Sequence, residues 1–509
     1  MSIELTKTDI GTAEVLYDNF AEQGIDCDIS LPDYCPDIMR ILRCSVTNSI
    51  TNSKISGDRA TVDGNAKIRI VYADDKNGIY CYEQDYPFSK FSELTQTYDG
   101  AVLCSSAKTE YANCRAVSKK RIDIHGVVSI RFKIVGIKNE SVITDAEGDG
   151  IQLRKKKIGT DSVAAVVMKK FQLSQTEEAD GGEIGKIFYA CASPVLSETK
   201  IIKGKILLKG EAVLKVMYCS ATGENESVCV NYNLPFSEII DIESIDDSCK
   251  VNVGFNVDQV QAEPKTDNDG EYKYLNLGCD ICAVVTAYKT EDICVITDSY
   301  STQKEIDAKY KTETFTQILQ NLNDSIICRE SVDLSSMNPQ RIYAAIAQSP
   351  EAKSRFDADK MTVTGKIPLK FILIDGEGTP TFCEREAEFE YSRSIDAKGG
   401  NLHCDPKLFL TGYSCTLTSD GRAEFKAEMN ISADITETSE CRTLVSLKTV
   451  ENSELKKRHS SLVICFCNGG EKIWDIARKY NTTVEDIMSE NELTSDEIGE
   501  KMMLMIPVK

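Results

Sequence analysis

Three stretches of this chain share one outline, and that triplication constrains the fold more than any other feature. Lys54–Gly64 reads KISGDRATVDG and leads through an apolar run and a polar turn to YPFS at Tyr86–Ser89. Lys200–Gly210 (KIIKGKILLKG) leads in the same way to LPFS at Leu234–Ser237, and Arg355–Gly365 (RFDADKMTVTG) to FEYS at Phe389–Ser392. Gly64, Gly210 and Gly365 lie 146 and 155 residues apart. A period of domain size points to three copies of one module. Each copy also has a preamble at the same offset: Arg40–Lys54, Lys186–Lys200 and Arg341–Arg355. Each preamble opens on a basic residue followed by apolar ones, so three matched offsets favour duplication over chance likeness.

The body of each copy reads as strands. In Ala66–Tyr72 the residues alternate, with Ile68, Ile70 and Tyr72 on one face, and Ala212–Tyr218 and Ile367–Ile374 repeat the pattern. The turns DDKNG, TGEN and DGEGTP carry the Gly, Asn and Asp that hairpins use for positive φ. Further strands are expected at Arg121–Val135, Leu275–Tyr288, Lys407–Thr418 and Ala423–Ile435. Short alternating strands at this spacing predict a mainly β chain of three tandem antiparallel β-sandwich-like domains. Pro32 and Pro36 bias Asp28–Leu42 to extended structure. Partial helical spacing predicts short helices at Thr12–Gln23, Val163–Phe171 and Thr314–Leu322. The Pro-Phe-Ser pieces read as strand ends with a buried aromatic.

Polar stretches at Glu147–Gly150 with Leu153–Lys157, at Thr297–Glu305 and at Thr449–Ser461 mark the breaks. The expected units are 1–150, 151–302 and 303–450, then a linker at 451–459 and a module at 460–509. That last module has its own pattern. SLVICF reads as a strand, and Ile473, Ile476, Ala477 and Tyr480 share one helical face. Thr483 and Asp486 form a T-x-x-D cap for a second helix with Val484, Ile487 and Met488 inward. Met502–Val508 closes as a strand. The expectation is a small α+β (βααβ) domain, which at fifty residues must pack tightly.

A net charge of −21 argues against binding nucleic-acid phosphates or anionic lipid by bulk electrostatics. No apolar run approaches the roughly 18 residues that span a bilayer, so no transmembrane segment is expected. The polar, acidic start lacks the charged-then-apolar pattern of a leader, and cytosolic synthesis is the expectation. Twenty cysteines in a long, Val- and Ile-rich chain read mainly as reduced core residues.

No signature of an active site, cofactor or metal stands out. The three histidines, His125, His403 and His459, are isolated, and the phosphate-cradling, nucleophile-elbow and zinc-protease motifs are missing. Cys279 and Cys282 form a lone C-x-x-C in a strand, which puts the thiols on opposite faces and favours packing over zinc. Asp267-Asn268-Asp269-Gly270 reads as a polar hairpin turn, and Leu455–His459 as a basic stretch of linker.

The tail, from GGEKIWDIARKYNTTVEDIMSENEL (Gly469–Leu493) to IGEKMMLMIP (Ile498–Pro507), resembles a LysM module. Trp474, Ile476, Ala477, Tyr480, Val484, Ile487, Asn491 and Ile506-Pro507 carry the likeness. The resemblance implies a groove for N-acetylglucosamine polymers between Asn468–Ile473 and Asn491–Asp496. Its candidate partner- or glycan-binding residues are Gly470, Glu471, Lys472, Ile473, Trp474, Asn491 and Leu493. Gly470-Glu471-Lys472 replaces the usual Gly-Asp-Thr, Ile498-Gly499 the usual Pro-Gly, and Cys465 and Cys467 are unusual.

The repeats resemble the SPOCS domain of spore-coat-associated proteins, through DISLPDYCPDIMRIL and VYADD…YCYEQDYPFS, with the first copy nearest the pattern. The whole order, three such domains and LysM, is similar to that of a clostridial family of spore morphogenetic proteins. That resemblance implies a non-enzymatic spore-coat adaptor in the mother cell, at the forespore or spore coat surface. It implies that the LysM module binds the spore coat-basement ATPase, and the expectation is that this or another coat protein is held through exposed apolar groove residues such as Ile473, Trp474 and Leu493. The alternative is LysM-mediated binding of peptidoglycan at the cortex or wall, and an enzyme is the third class considered. From Ser460 to Lys509 five Lys/Arg face nine Asp/Glu, a net of −4, which suits an anionic wall poorly.

Overall fold

The computed structural model describes residues 3–180, 182–220, 227–357, 360–395, 401–450 and 462–507. Its first six strands are β1 (Glu4–Ser30), β2 (Arg40–Ser56), β3 (Arg59–Ala73), β4 (Ile79–Glu93), β5 (Val102–Ala116) and β6 (Arg121–Glu147). They form two antiparallel three-stranded sheets, ordered β2-β3-β4 and β1-β6-β5. The inner faces pack together: Ala66, Ile68, Ile70 and Tyr72 of β3 meet Ile122, Ile124, Ile130 and Phe132 of β6, all almost fully buried. The alternation legible in the sequence is therefore the face that fills the sandwich.

The plan repeats. A second unit has β7 (Ile151–Glu178), β8 (Ile184–Ile202), β9 (Lys205–Ser220), β10 (Ser227–Asp241), β11 (Lys250–Thr266) and β12 (Tyr272–Ser301), in sheets β8-β9-β10 and β11-β12-β7. In the third unit two strands are each split in two. It comprises β13 (Ile306–Asp333), β14 (Pro339–Ala347), β15 (Glu351–Asp357), β16 (Lys360–Asp375), β17 (Pro380–Ser394), β18 (Asn401–Cys404), β19 (Lys407–Leu417) and β20 (Arg422–Thr449). The module at the C-terminus holds β21 (Leu462–Cys467), α1 (Ile473–Tyr480), α2 (Val484–Glu490) and β22 (Met502–Pro507), the expected βααβ order.

The marker glycines now have a physical reason. Gly64, Gly210 and Gly365 each stand directly across a strand pair from the aromatic of the Phe motif: Phe88, Phe236 and Phe389. On the other side the neighbouring strand approaches closely, through a bulge at Ile50/Asn52 and Leu196/Glu198 or through the β14–β15 break. A Cβ on Gly64 would lie 2.3 Å from the Ser49 carbonyl oxygen and 2.4 Å from the Phe88 ring. Only a residue with no side chain admits both neighbours. The Phe motif is thus mid-strand rather than at a strand end, although its aromatic is buried as expected.

The three helices expected near the start of each unit are strands instead: Thr12–Gln23 lies in β1, Val163–Phe171 in β7 and Thr314–Leu322 in β13. Each expected helix contains a one-residue bulge, between Val15 and Tyr17, Val163 and Ala165, or Ile318 and Gln320. An extra residue shifts the period-two pattern and mimics helical spacing. Leu153–Lys157 and Thr297–Ser301 likewise lie within strands β7 and β12 rather than in connections. The turn TGEN, the stretch Leu455–His459 and the linker 451–459 fall outside the described residues.

Beyond the bulges the first and last strands of each unit run on as two-stranded ribbons. The ribbons of the three units pack together: Ile10, Val142, Ile158, Ile293, Val295, Phe315 and Cys441 form one buried cluster. A second junction joins Leu42 and Val71, Phe188 and Met217, and Tyr343 and Ile372. Leu42, Phe188 and Tyr343 occupy the same offset from their marker glycines, as do Val71, Met217 and Ile372. Equivalent side chains meet, so the units surround an approximate threefold axis within one chain.

Lys215 of β9 is buried where the second unit meets the third. Its ammonium lies 2.9 Å from the centre of the Tyr413 ring. Burial pushes its pKa down to about 8. Between that value and the ordinary 10.5 the unfolded chain's lysine holds its proton where the folded one has lost it, so the destabilisation caused by this one group fades as pH rises through the window. Lys215→Met is expected to raise stability at pH 7 by about 2 kcal/mol, and its advantage over wild type should shrink as pH rises, read by urea unfolding of both chains at pH 7, 8.5 and 10.

Candidate functional site

The βααβ module closes around its own small core. Ile473, Ile476 and Ala477 of α1, Ile487 of α2 and Leu504 and Ile506 of β22 are buried together. The cap expected at Thr483 is present, with its hydroxyl oxygen accepting from Asp486 N at 3.0 Å. Asn481 ends α1 in the left-handed region at φ 53°. One residue in this core comes from outside: Tyr300 near the end of β12.

Tyr300 is part of a seat. Its ring meets the Trp474 indole edge-on, 4.9 Å between centroids, and its hydroxyl donates to the Thr482 carbonyl at 2.7 Å. The neighbouring Asp298 is buried, and its Oδ2 accepts from Trp474 Nε1 at 2.9 Å. The Arg478 guanidinium donates to both oxygens of the same carboxylate at 3.0 and 2.9 Å. Ser299 N supplies a further donor at 3.0 Å. A register shift between Ile296 and Asp298 in the β12–β7 pairing re-aims the strand at this point. Helix α1 is therefore fixed to the second unit by a satisfied buried carboxylate and an aromatic pair.

The seven residues singled out in the sequence have different fates. Gly470, Glu471 and Lys472 are exposed on one loop. Ile473, expected on an apolar groove, is fully buried in the core, because the first inward position of α1 falls there. Trp474 faces the scaffold. Asn491 clamps β22: its Nδ2 donates to the Ile487 and Met505 carbonyls and its Oδ1 accepts from Met505 N. Leu493 is half-buried and packs on the core. The first of the two loops that the resemblance made the walls of a groove is laced to Asp496 at the end of the second and to Ile498 just beyond it. Gly470 N donates to Ile498 O at 2.7 Å, Ile498 N to Glu471 O at 3.0 Å and Ile473 N to Asp496 O at 2.9 Å.

Sequence reasoning missed the other side of the module. The β21–β22 ribbon has its helices on one face only. On the open face Leu462, Ile464 and Phe466 stand beside Met503 and Met505, paired Ile464↔Met505 and Phe466↔Met503. These five side chains are 38–75 % exposed. The signal was legible as the alternate positions of SLVICF and MMLMIP, apolar on both faces where a half-buried strand needs only one.

Elsewhere the chemistry is sparse. His125 is exposed, and the hydrogen bonds its ring donates to the Asp26 and Asp123 carboxylates raise its pKa. His403 is exposed on β18. Cys279 and Cys282 are both buried in β12. Asp267 closes the β11–β12 hairpin by accepting from Asp269 N and Glu271 N, each at 2.9 Å, as expected for a polar turn. Among the described residues no three His, Cys, Asp or Glu side chains converge to hold a metal. No helix of the described residues is long and apolar enough to cross a membrane.

Fold and module together define a tandem β scaffold carrying a terminal binding module. Residues 37–117 and 183–265 match the family described as SipL, SPOCS domain, and residues 470–507 match the LysM domain family. The chain thus carries SPOCS-type segments in its first two units and a LysM domain at its end, as the sequence resemblance implied. These domain types bind or scaffold, and they mark a sporulation-related chain with a module of the peptidoglycan-binding class. No curated protein and no solved structure gives a significant match.

Proposed function

We propose that the chain is a non-enzymatic adaptor of the spore envelope. The three β units form the scaffold, and the LysM module holds a coat morphogenetic protein at the forespore surface in the mother cell. The spore coat-basement ATPase is the candidate partner. The observation that carries this reading is the open apolar face of Leu462, Ile464, Phe466, Met503 and Met505. A contiguous exposed apolar patch on a seated module favours a protein surface as its occupant. The acidic balance of the module also favours protein over an anionic wall.

Binding of peptidoglycan remains the second reading, supported by the LysM match and the exposed Gly470–Lys472 rim. Full-length chain as bait in lysate of sporulating cells separates the two. Ile464→Glu with Phe466→Glu should leave stability within about 0.5 kcal/mol, since both sites are exposed, and should cut capture of the coat protein at least tenfold. Undiminished capture by that variant would remove the apolar face from the account.

A further inference from the structure

Cys465 and Cys467 are two residues apart on β21, so strand alternation turns both toward the helices. Their sulfurs lie 3.6 Å apart. Cys467 is fully buried and Cys465 is partly exposed. Burial, and then the neighbouring Cys465 thiol, push the Cys467 thiol up to about 12. The other close pairing by sequence, Cys279 with Cys282, is set on opposite faces of its strand. Cys465 and Cys467 are therefore placed as a small disulfide would need them, with one sulfur reachable and the other behind it.

We propose that Cys465 and Cys467 form a reversible thiol–disulfide pair, oxidised by a low-molecular-weight disulfide of the glutathione class. The Cys465 thiolate attacks one sulfur of the reagent, its S–S bond breaks and one thiolate leaves, taking up a proton. Cys467 then gives up its proton and attacks the Cys465 sulfur of the mixed disulfide, and the second reagent thiol leaves. The two protein thiols lose two electrons and two protons, and the reagent disulfide gains both to become two thiols. Cα atoms two residues apart in an extended strand are about 6.6 Å apart, near the upper end of the ~4.4–6.8 Å that a disulfide spans. Closing the bond pulls the strand together at Phe466, and a strained bond of this kind is readily reduced again.

The test uses the reduced full chain and oxidised glutathione under native conditions. Remaining thiols are then alkylated in denaturant, and the peptide carrying both cysteines is weighed. The expected product lacks two hydrogens and carries no alkyl group, and mild dithiol treatment restores it. Cys467→Ser should instead hold a stable glutathione adduct at Cys465, with emission from Trp474, the chain's single tryptophan, confirming that the variant is folded. The proposal is overturned if both wild-type cysteines are alkylated after treatment, if the glutathione adduct persists in the wild type, or if either cysteine bonds elsewhere. Should Cys467→Ser fail to fold, the wild-type products alone decide.

Discussion

Gly210→Ala is expected to destabilise the second unit by about 3 kcal/mol or more, an overpacking cost at the top of the usual range. The new Cβ would lie 2.1 Å from the Val195 carbonyl oxygen and 2.7 Å from the Phe236 ring. The ring could turn aside, but a carbonyl fixed in a bulged strand cannot move without breaking ladder bonds. The same loss is expected at Gly64 and Gly365, where the carbonyl distances are both 2.3 Å. Gly24→Ala is the control: its Cβ would meet only Asp26 Oδ2, at 3.6 Å. Removing the aromatic instead (Phe88→Ala, Phe236→Ala or Phe389→Ala) should cost about 3–5 kcal/mol by opening a cavity. Urea or thermal unfolding of the full chain reads each effect. Equal midpoints for Gly210→Ala and Gly24→Ala would contradict the packing account of the repeat.

Asp298→Ala is expected to release the LysM module from its seat. It leaves the Trp474 indole without its acceptor and weakens docking by about 1.5–3 kcal/mol, the range for a hydrogen bond to a charged group. The Arg478 half of the contact adds little to that figure, because the guanidinium is half-exposed and solvated when freed. The reverse change is expected to be worse. Trp474→Phe combined with Arg478→Ala keeps the Asp298 carboxylate buried with only the Ser299 amide as donor, and removing the partners of a buried charge costs about 3–5 kcal/mol. Because Trp474 is the only tryptophan, its emission should shift to the red in Asp298→Ala. Limited proteolysis of the full chain should also release the module faster. Unchanged emission and proteolysis would mean that the module is held by something other than this seat.

Much of the architecture was legible because duplication writes it three times. The face Ile68, Ile70 and Tyr72, the hairpin turns at Asp74 and Asp375, and the βααβ tail follow from alternation, turn chemistry and capping, which are local. The long first strands were not legible. A bulge in each copy shifts the alternation, and the same false helix was expected at all three bulges. The meeting of Leu42, Phe188 and Tyr343 could not be read either, because packing between units leaves no periodic signal. In the candidate site, the sequence picked out Trp474 as special but not its neighbour. Asp298 lies 176 residues away in a stretch that reads as a polar break. Ile473 shows the opposite: its helical period put it correctly on the face of Ile476 and Ala477, whereas the groove role came from the resemblance, and that face is the core.

The central claim is that the LysM module recognises protein rather than wall glycan. Sedimentation of the full-length chain with purified peptidoglycan tests it most directly, with soluble N-acetylglucosamine oligomers as competitor. The account predicts that the chain stays in the supernatant, with or without competitor. Saturable sedimentation that the oligomers reverse would contradict it.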